Sequence, residues 1–386
     1  MNTLAISGAH AGAIDVIEAT SPKQRKDFVK FPLALYRDCP QYVPPLILDE
    51  METLSPDKNP AFQVAPARLF LAYQSGRIVG RIAGILSHPA NEKNNSRNMR
   101  FGWFDCVNDQ KVAAALFDAV AAWARQAGME TLTGPHGFDL FDKAGMLVDG
   151  FDQLPTVATY YNYPYYNDLV VACGFEKEID FVEYQMKFKP DGFSPRQLAL
   201  AERVLKHKKY HLVEFKRKKE LLALAPQIME LFEDTYAELY DCVPLTVAQR
   251  QYYIKKFFPY LKRELVKVVV SEHGEVVGFL IAMPSLSHAL QKARGHLLPF
   301  GLFHLLRALK AHNPILDFCL AGVRKSHRGK GVDLIMTADI FRSALELKFE
   351  LGESNPELET NLQIQAEWNK VEHVMHKRRR IYRKSI

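Results

Sequence analysis

Two stretches of the chain share one pattern of apolar and polar positions. Residues 68–87 read RLFLAYQSGRIVGRIAGILS, and residues 267–285 read KVVVSEHGEVVGFLIAMPS. In each, a short polar turn separates two apolar runs rich in β-branched residues, which predicts a β-hairpin. Both contain G-x-x-x-G, at Gly76 and Gly80 and at Gly274 and Gly278. The shared spacing favours an internal duplication over two unrelated hairpins.

The elements predicted around the hairpins also correspond. Apolar, strand-like runs follow them at residues 100–107 and 315–323. Apolar residues at helical spacing come next in both halves: Val112, Leu116, Val120 and Trp123, and then Leu334, Ala338, Phe341 and Leu345. Helical stretches precede the hairpins, at residues 26–37 and 226–240.

This order of elements predicts a mixed α/β fold with two similar domains. The length of 386 residues suits two domains. We predict that the first domain spans residues 11–190 and the second residues 210–386. The polar and basic stretch 191–209, with Gly192 and Pro195, is expected to link them.

Composition narrows the class of protein. Hydrophobic residues make up 48% and charged residues 24%, near the globular average. The five cysteines form no C-x-x-C pair, so neither a metal site nor a disulfide framework is expected, which favours a reducing compartment.

The sequence shows no secretory signal and no apolar run of about 18 residues, so we expect a cytoplasmic protein. The net charge of +6 suits an anionic ligand or a membrane surface and is too small to indicate nucleic acid.

A basic, glycine-bearing loop connects strand 315–323 to the next helix. Residues 323–333 read VRKSHRGKGVD. Such a loop predicts an anion site, because backbone N–H groups and the helix dipole favour negative charge there. Gly329 and Gly331 allow the backbone to approach a diphosphate, and the basic side chains can add charge-assisted hydrogen bonds. A solvated basic turn is the alternative.

The order hairpin, strand, R-G-K-G loop, helix and strand resembles the GNAT acyltransferase superfamily. In that family an R-x-x-G-x-G/A loop binds the diphosphate of coenzyme A on backbone amides. Arg328 and Gly331 match it, whereas Asp333 stands where the family has Gly or Ala. The resemblance implies two GNAT-like domains in tandem and acyl-CoA as co-substrate. The residues it implies for donor binding in this loop are Val323, Arg324, Arg328, Gly329, Lys330, Gly331 and Val332.

The corresponding loop of the first half, residues 107–111, reads VNDQK. It has no glycine and it contains the acidic Asp109, so we expect no donor binding there. Support of the second half and recognition of the acceptor are the roles expected for the first half.

Candidate acid–base residues follow the donor loop and its helix. Glu353, Glu357 and Glu359 have even spacing, which would place them on one face of an extended chain. Transfer to an amine requires a base, for which Glu353 is the first candidate and Asp317, on the preceding strand, the second. The resemblance also implies that Glu359 and Asn361, which match an E-x-N of the family, line the pantetheine arm. The alternative is a solvated strand edge with Thr360 or Asn361 as a helix cap.

The C-terminal run 376–384 reads HKRRRIYRK. Such a basic run can bind RNA, acidic lipid or the ribose phosphate of the coenzyme. The resemblance to GNAT-like chains, which often end in a strand of the form R-I-Y-R-K, implies instead a terminal strand with Ile381 inward, and we favour that interpretation. Tyr382 is a candidate proton donor to the leaving thiolate.

An apolar and basic insertion at residues 285–314 separates the second hairpin from the next strand. It could form a wall for an acyl chain, an interfacial helix in peripheral contact with the inner membrane, or a lid buried against the other domain. The tyrosine-rich stretch 159–166 could line the same cleft or simply pack as a loop.

The chain as a whole is also similar to bacterial ceramide synthases, through P-E-L-E-T-N at 356–361, Trp368 and the R-R-R-I-Y ending. We therefore expect N-acyl transfer from acyl-CoA to an amine, with a long-chain sphingoid amine as the refinement that this likeness implies. A non-catalytic module that binds lipid or peptide, or a transferase that uses aminoacyl-tRNA, are the alternatives.

Overall fold

The computed structural model describes residues 12–190, 192–310, 313–368 and 371–386. The chain forms two compact units. The first unit comprises the chain up to Phe181 together with Leu290–Gly301 and Lys377–Ile386. The second unit comprises Val182–Ala289 and Leu302–His376.

The first half of the chain contains seven strands and five α-helices within the described residues. In chain order they are β1 (Ile14–Glu18), α1 (Pro22–Leu35), α2 (Ile47–Thr53), β2 (Ala67–Gln74), β3 (Arg77–Ile85), α3 (His88–Asn94), β4 (Asn98–Cys106), α4 (Gln110–Gln126), β5 (Thr131–Gly134), β6 (Met146–Asp149), α5 (Tyr165–Ala172) and β7 (Glu176–Lys187).

The second half repeats this order with two additional helices, one before its first strand and one between the hairpin and the next strand. Its elements are α6 (Pro195–His207), β8 (His211–Leu212), α7 (Lys218–Tyr236), α8 (Val247–Phe257), β9 (Val266–Val270), β10 (Val276–Pro284), α9 (Ser287–Ala293), α10 (Gly301–Lys310), β11 (Ile315–Val323), α11 (Val332–Glu346), β12 (Leu351–Ser354), β13 (Glu357–Leu358), α12 (Leu362–Trp368) and β14 (His373–Ser385).

The strands form a mostly antiparallel sheet in each unit. Neighbouring strands follow the order β1-β2-β3-β4-β5-β14-β7 in the first unit and β14-β7-β12-β11-β10-β9-β8 in the second, and β7 and β14 contribute residues to both. Both predicted hairpins, β2–β3 and β9–β10, are confirmed as antiparallel pairs. In both units the strand after the hairpin then pairs in parallel with the next one, as β4 with β5 and β11 with β12.

The structure gives a physical reason for the repeated glycine spacing. Gly76 and Gly274 lie in the hairpin turns with φ of 75° and 77°, a region that favours glycine. A Cβ atom added to Gly80 would lie 2.8 Å from Leu116 Cδ1 of α4. A Cβ atom added to Gly278 would lie 2.4 Å from Val332 Cγ1 of α11. In each unit the first glycine forms the turn and the second lets a helix pack closely on the hairpin.

Each unit has its own hydrophobic core beneath that helix. Helix α4 buries the four predicted residues Val112, Leu116, Val120 and Trp123. Helix α11 buries Leu334, Ala338 and Phe341, whereas Leu345 is only partly buried. Ile381 of β14 is fully buried, as predicted for a terminal strand.

The stretch predicted as a linker, residues 191–209, contains helix α6. Ser194 caps this helix, accepting a hydrogen bond from the amide of Gln197, and Ala201 packs into the core of the second unit. The last ten residues, in turn, belong to the first unit. There Asp180 of β7 accepts hydrogen bonds from Arg380 at 2.7 Å and Arg378 at 3.2 Å. The domain limits that the sequence indicated, 11–190 and 210–386, stay a prediction.

No described helix combines the length and apolar character needed to cross a bilayer.

Candidate functional site

Strand β11 of the second unit is paired unequally on its two sides. Strand β10 pairs with it from Leu316 to Val323. Strand β12 pairs with it only from Ile315 to Phe318, and no other described strand continues that pairing. Residues 319–323 thus have an unpaired side, which we call the open edge of β11. A register shift opposite Ile281 and Ala282 leaves Cys319 as a bulge at the start of this edge.

Side chains from two other elements contact the open edge. The Tyr236 hydroxyl, at the end of α7, donates to the Ala321 carbonyl at 3.1 Å and accepts from the Ala321 amide at 3.4 Å. The Asn355 side chain donates to the Cys319 carbonyl at 3.0 Å. The Tyr236 hydroxyl thus bonds to Ala321 where a neighbouring strand would otherwise do so. An extended ligand can displace a single hydroxyl from this position.

The loop after β11 ends at the uncapped N-terminus of α11. Gly329 and Gly331 have φ of 69° and 84°, and Gly331 is the N-cap residue with no side-chain cap. The amides of Arg328 and Lys330 donate to carbonyls within the loop itself. Among the described residues, the amides of Gly329, Gly331 and Val332 have no acceptor. The predicted anion site therefore has three available amides at the mouth of a 15-residue helix.

The basic side chains of the loop differ in their availability. Arg324 pairs with Glu275 at 3.0 Å, and Lys325 pairs with Glu238. Arg328 donates from Nε to the Val323 carbonyl at 3.2 Å, which leaves its terminal nitrogens for other partners. Lys330 is exposed. Arg328 and Lys330 are therefore better placed to meet an anion than the other two cations.

Asp333 lies in the first turn of α11, close to the available amides. Its carboxylate adds negative charge where an anion would bind, and so works against that binding.

The two carboxylates ranked first from the sequence are buried within the paired part of the sheet. Asp317 and Glu353 lie opposite each other on β11 and β12, with 0% and 8% of their surface exposed. Glu353 also lies 3.4 Å from Nε2 of His376. The chain then breaks at Asn355 and Pro356, so Glu353, Glu357 and Glu359 do not share one continuous strand as expected.

Glu357 has the environment of a general base. Its two carboxylate oxygens accept hydrogen bonds from Trp368 Nε1 at 2.9 and 3.1 Å. Burial raises the pKa of Glu357 to about 7, although the hydrogen bond from Trp368 acts in the opposite direction. A carboxyl group that titrates near neutral pH is suited to proton transfer.

Tyr236, which contacts the open edge, is also partly buried. Burial raises the pKa of Tyr236 to about 12, and the nearby charge of Glu357 acts in the same direction. Tyr236 therefore stays protonated at neutral pH while it contacts Ala321. These relations were not predictable from sequence spacing, because Tyr236 and Ala321 are 85 positions apart.

Known proteins are similar to this chain in sequence and in structure. No family model matches the chain. A tandem GNAT protein from the clavulanic acid biosynthesis pathway superimposes with a TM-score of 0.55 at 14% identity, over 97% of this chain and 98% of that one. A GCN5-related glucosamine N-acetyltransferase region of a fungal β-N-acetylglucosaminidase superimposes with a TM-score of 0.60 at 12% identity, over 97% of this chain and 38% of that one.

The chain has the tandem GNAT fold.

Two proteins are similar over nearly their whole sequence. Protein YghO of Escherichia coli (strain K12) is 27% identical over 366 residues, which is 94% of this chain and 93% of that protein. The bacterial ceramide synthase of Caulobacter vibrioides is 26% identical over 387 residues, 97% of this chain and 98% of that protein.

Within this tandem GNAT fold, the first unit lacks the open helix terminus of the second. Asp109 is the N-cap of α4, and its carboxylate accepts a hydrogen bond from the Lys111 amide at 2.8 Å. The protein's own side chain thus occupies the place that an anion would take. The expected difference in donor binding between the two loops stays a prediction.

Strand β4 of the first unit lies beside a buried polar network. Asp105 pairs with Arg81 at 2.8 Å and accepts hydrogen bonds from the hydroxyls of Tyr36 and Tyr166 at 2.9 and 3.2 Å. Burial raises the pKa of Asp105, although these partners lower it. Tyr166 is fully buried and Tyr161 packs in the same core, and both also line a small cavity within the first unit.

Three remaining candidates have structural partners of their own. Asn361 caps α12 by accepting from the Ile364 amide at 3.3 Å, and the Glu359 carbonyl accepts from Gln365 at 3.0 Å. Tyr382 belongs to the first unit, where its hydroxyl donates to Asn167 at 2.8 Å. The expected roles of Tyr382 in catalysis and of Glu359 and Asn361 in binding the donor stay predictions.

Among the described residues, no cluster of three or more His, Cys, Asp or Glu side chains could hold a metal ion.

Proposed function

We propose that the protein is an N-acyltransferase that takes its acyl group from an acyl-CoA bound to the second unit. The observation that carries this proposal is the continuity of two features, the open edge of β11 and the available amides of Gly329, Gly331 and Val332. The tandem GNAT fold and the likeness to a bacterial ceramide synthase support it.

The donor binds at both features. Its diphosphate accepts hydrogen bonds from the three amides, where the helix dipole favours negative charge. Lys330 and the terminal nitrogens of Arg328 add charge-assisted contacts. The pantetheine arm lies along the open edge of β11 and displaces the Tyr236 hydroxyl from Ala321.

Glu357 acts as the base and Tyr236 as the acid. Glu357 takes a proton from the acceptor ammonium, directly or through one water. The free amine attacks the thioester carbon, so that a C–N bond forms and the C–S bond breaks. The displaced Tyr236 hydroxyl gives its proton to the leaving thiolate and, as a phenolate, takes the second proton that the nitrogen loses as the amide forms. A backbone N–H of β11 stabilises the oxyanion. Tyr236 replaces Tyr382 because it belongs to the same unit as the donor loop and contacts the open edge of β11. Glu357 replaces Glu353 because Glu353 lies inside the paired part of the sheet.

The acceptor is an amine, and we take it to be a long-chain amine. This choice rests on the relative that carries the name bacterial ceramide synthase.

The cysteines of the chain are free thiols, so no disulfide constrains either unit.

Titration with coenzyme A tests the donor site. At about 100 times its dissociation constant, a ligand that binds only the native state adds about 2.7 kcal/mol to the free energy of unfolding. We expect thermal unfolding to shift upward in the parent protein, and this shift to be lost in the double variant Arg328→Ala/Lys330→Ala. The matched control, Lys219→Ala/Lys255→Ala, removes two exposed lysines of α7 and α8 and should keep the shift.

An unchanged shift in the Arg328→Ala/Lys330→Ala variant would remove the donor site from this loop. Binding of coenzyme A without release of free thiol from any acyl-CoA and amine pair would instead support the alternative of a non-catalytic binding module.

A further inference from the structure

Helix α10 presents large apolar side chains to solvent. Leu302, Phe303 and Leu306 are 42%, 59% and 42% exposed. With 3.6 residues per turn, these three and the exposed Arg307 and Lys310 fall within roughly 140° of the helix circumference. A surface helix of a globular protein normally turns its apolar stripe inward, so this face is unusual.

The exposed apolar residues are concentrated in a short piece of chain. Leu298 and Phe300, which come just before the helix, are 73% and 71% exposed. Five large apolar side chains within residues 298–306 therefore face water. Exposed apolar residues scattered singly are ordinary, whereas a concentration of this kind marks a binding surface.

The charge of the surrounding sequence indicates what would cover this face. No Asp or Glu occurs between Ser285 and Leu316, whereas Lys292, Arg294, Arg307 and Lys310 do. On α10 itself the apolar side chains occupy the first two turns and the two cations the last turn. An apolar tip followed by cations matches the layers of an anionic bilayer, in which acyl chains lie beneath negatively charged headgroups.

We propose that α10 is the docking surface of this protein for an anionic lipid bilayer. Leu302, Phe303 and Leu306 enter the boundary between headgroups and acyl chains. Arg307 and Lys310 stay at the headgroup phosphates, with their aliphatic stems along the apolar layer. This inference goes beyond the proposed acyl transfer and does not depend on it, because the surface needs no acyl-CoA to bind.

Cosedimentation of the full chain with lipid vesicles tests the proposal. We expect binding to vesicles of phosphatidylglycerol and phosphatidylcholine and much weaker binding to pure phosphatidylcholine. The variant Phe303→Ser/Leu306→Ser should lower the affinity for the mixed vesicles at least about tenfold, because both side chains lose apolar area that the bilayer would cover. Arg307→Gln/Lys310→Gln should lower it about fivefold per cation at low salt and bring it close to the affinity for pure phosphatidylcholine.

The control variant is Leu48→Ser, which removes an apolar side chain that is 69% exposed on α2. It should bind vesicles as the parent protein does, and all variants should unfold at nearly the same temperature because the changed side chains are exposed. Equal vesicle binding by the parent and the Phe303→Ser/Leu306→Ser variant, or no binding by either, would overturn the proposal. The proposal would also be overturned if sedimentation experiments showed that the parent protein is a dimer and that the Phe303→Ser/Leu306→Ser variant is a monomer. A second copy of the chain would then cover this face.

Discussion

At the scale of single residues, the chemistry of the proposed site depends on Glu357. Its carboxylate is held by Trp368 and titrates near neutral pH because burial disfavours its charged form. A base must be deprotonated to act, so activity should rise with pH as Glu357 loses its proton. Two further buried carboxylates of the second unit, Asp317 and Glu353, lie inside the paired part of the sheet, and we assign them a structural role.

The variant Glu357→Gln tests this role. We expect kcat to fall by about 100-fold or more, with little change in KM for acyl-CoA, because general-base catalysis contributes about that factor. The parent protein should show a rise of kcat with pH through about 7, and the variant should lose it. The measurement is release of free thiol from acyl-CoA across a pH series.

Two further variants separate a chemical from a structural role. Trp368→Phe removes the hydrogen bond that lowers the pKa of Glu357, so the rise in activity should move to higher pH. Glu353→Gln, which breaks the contact with His376, should lower stability and leave the position of that rise unchanged. A Glu357→Gln protein that keeps both its rate and its pH dependence would rule Glu357 out as the base.

At the scale of elements, the two hairpins share a design and differ in what lies on them. Gly80 and Gly278 both allow a helix to pack closely on the second strand of the hairpin. In the first unit that helix, α4, is capped by Asp109. In the second unit the corresponding helix is α11. Its first residue, Val332, packs on Gly278, and the amide of Val332 is one of the three available amides. A change at Gly278 should therefore reach the donor site, whereas the same change at Gly80 should not.

Substitution of each glycine by alanine tests this difference. Both variants should lose about 1–3 kcal/mol of unfolding free energy, as expected for overpacking a core, and thermal melts measure the loss. Only Gly278→Ala should also weaken binding of coenzyme A, because its Cβ atom displaces Val332. Addition of Val332→Ala, which removes the atom that would clash, should restore much of the stability. Equal effects of Gly80→Ala and Gly278→Ala on binding would contradict the assignment of the donor site to the second unit alone.

At the scale of the whole molecule, local sequence patterns predicted the architecture, whereas the candidate site also depends on contacts that no local pattern shows. Patterns within about 20 residues determine the hairpins, the strand after each hairpin and the helix face of α4. The sequence could predict these features for that reason. The loop from Arg324 to Gly331 could be predicted for the same reason, since glycines and cations stand next to one another there.

The remaining site residues depend on contacts between distant parts of the chain. Tyr236 reaches the open edge from a helix that precedes β11 by almost 80 residues, and the burial of Glu357 depends on Trp368 in a later helix. Even spacing placed Glu353 first, although the break at Asn355 and Pro356 separates it from Glu357. Similarly, the attachment of the last strand to the first unit depends on Asp180, 200 positions before Arg380.

Hydrogen exchange of the backbone amides, with and without coenzyme A, shows whether the donor diphosphate binds at the start of α11. The amides of Gly329, Gly331 and Val332 have no acceptor among the described residues, so they should exchange fast in the free protein and slow down when a diphosphate accepts their hydrogen bonds. The amides of residues 109–112, at the start of α4, should not change. Protection confined to residues 329–332 is the predicted result, and protection at residues 109–112, or at neither place while coenzyme A is bound, would contradict the account.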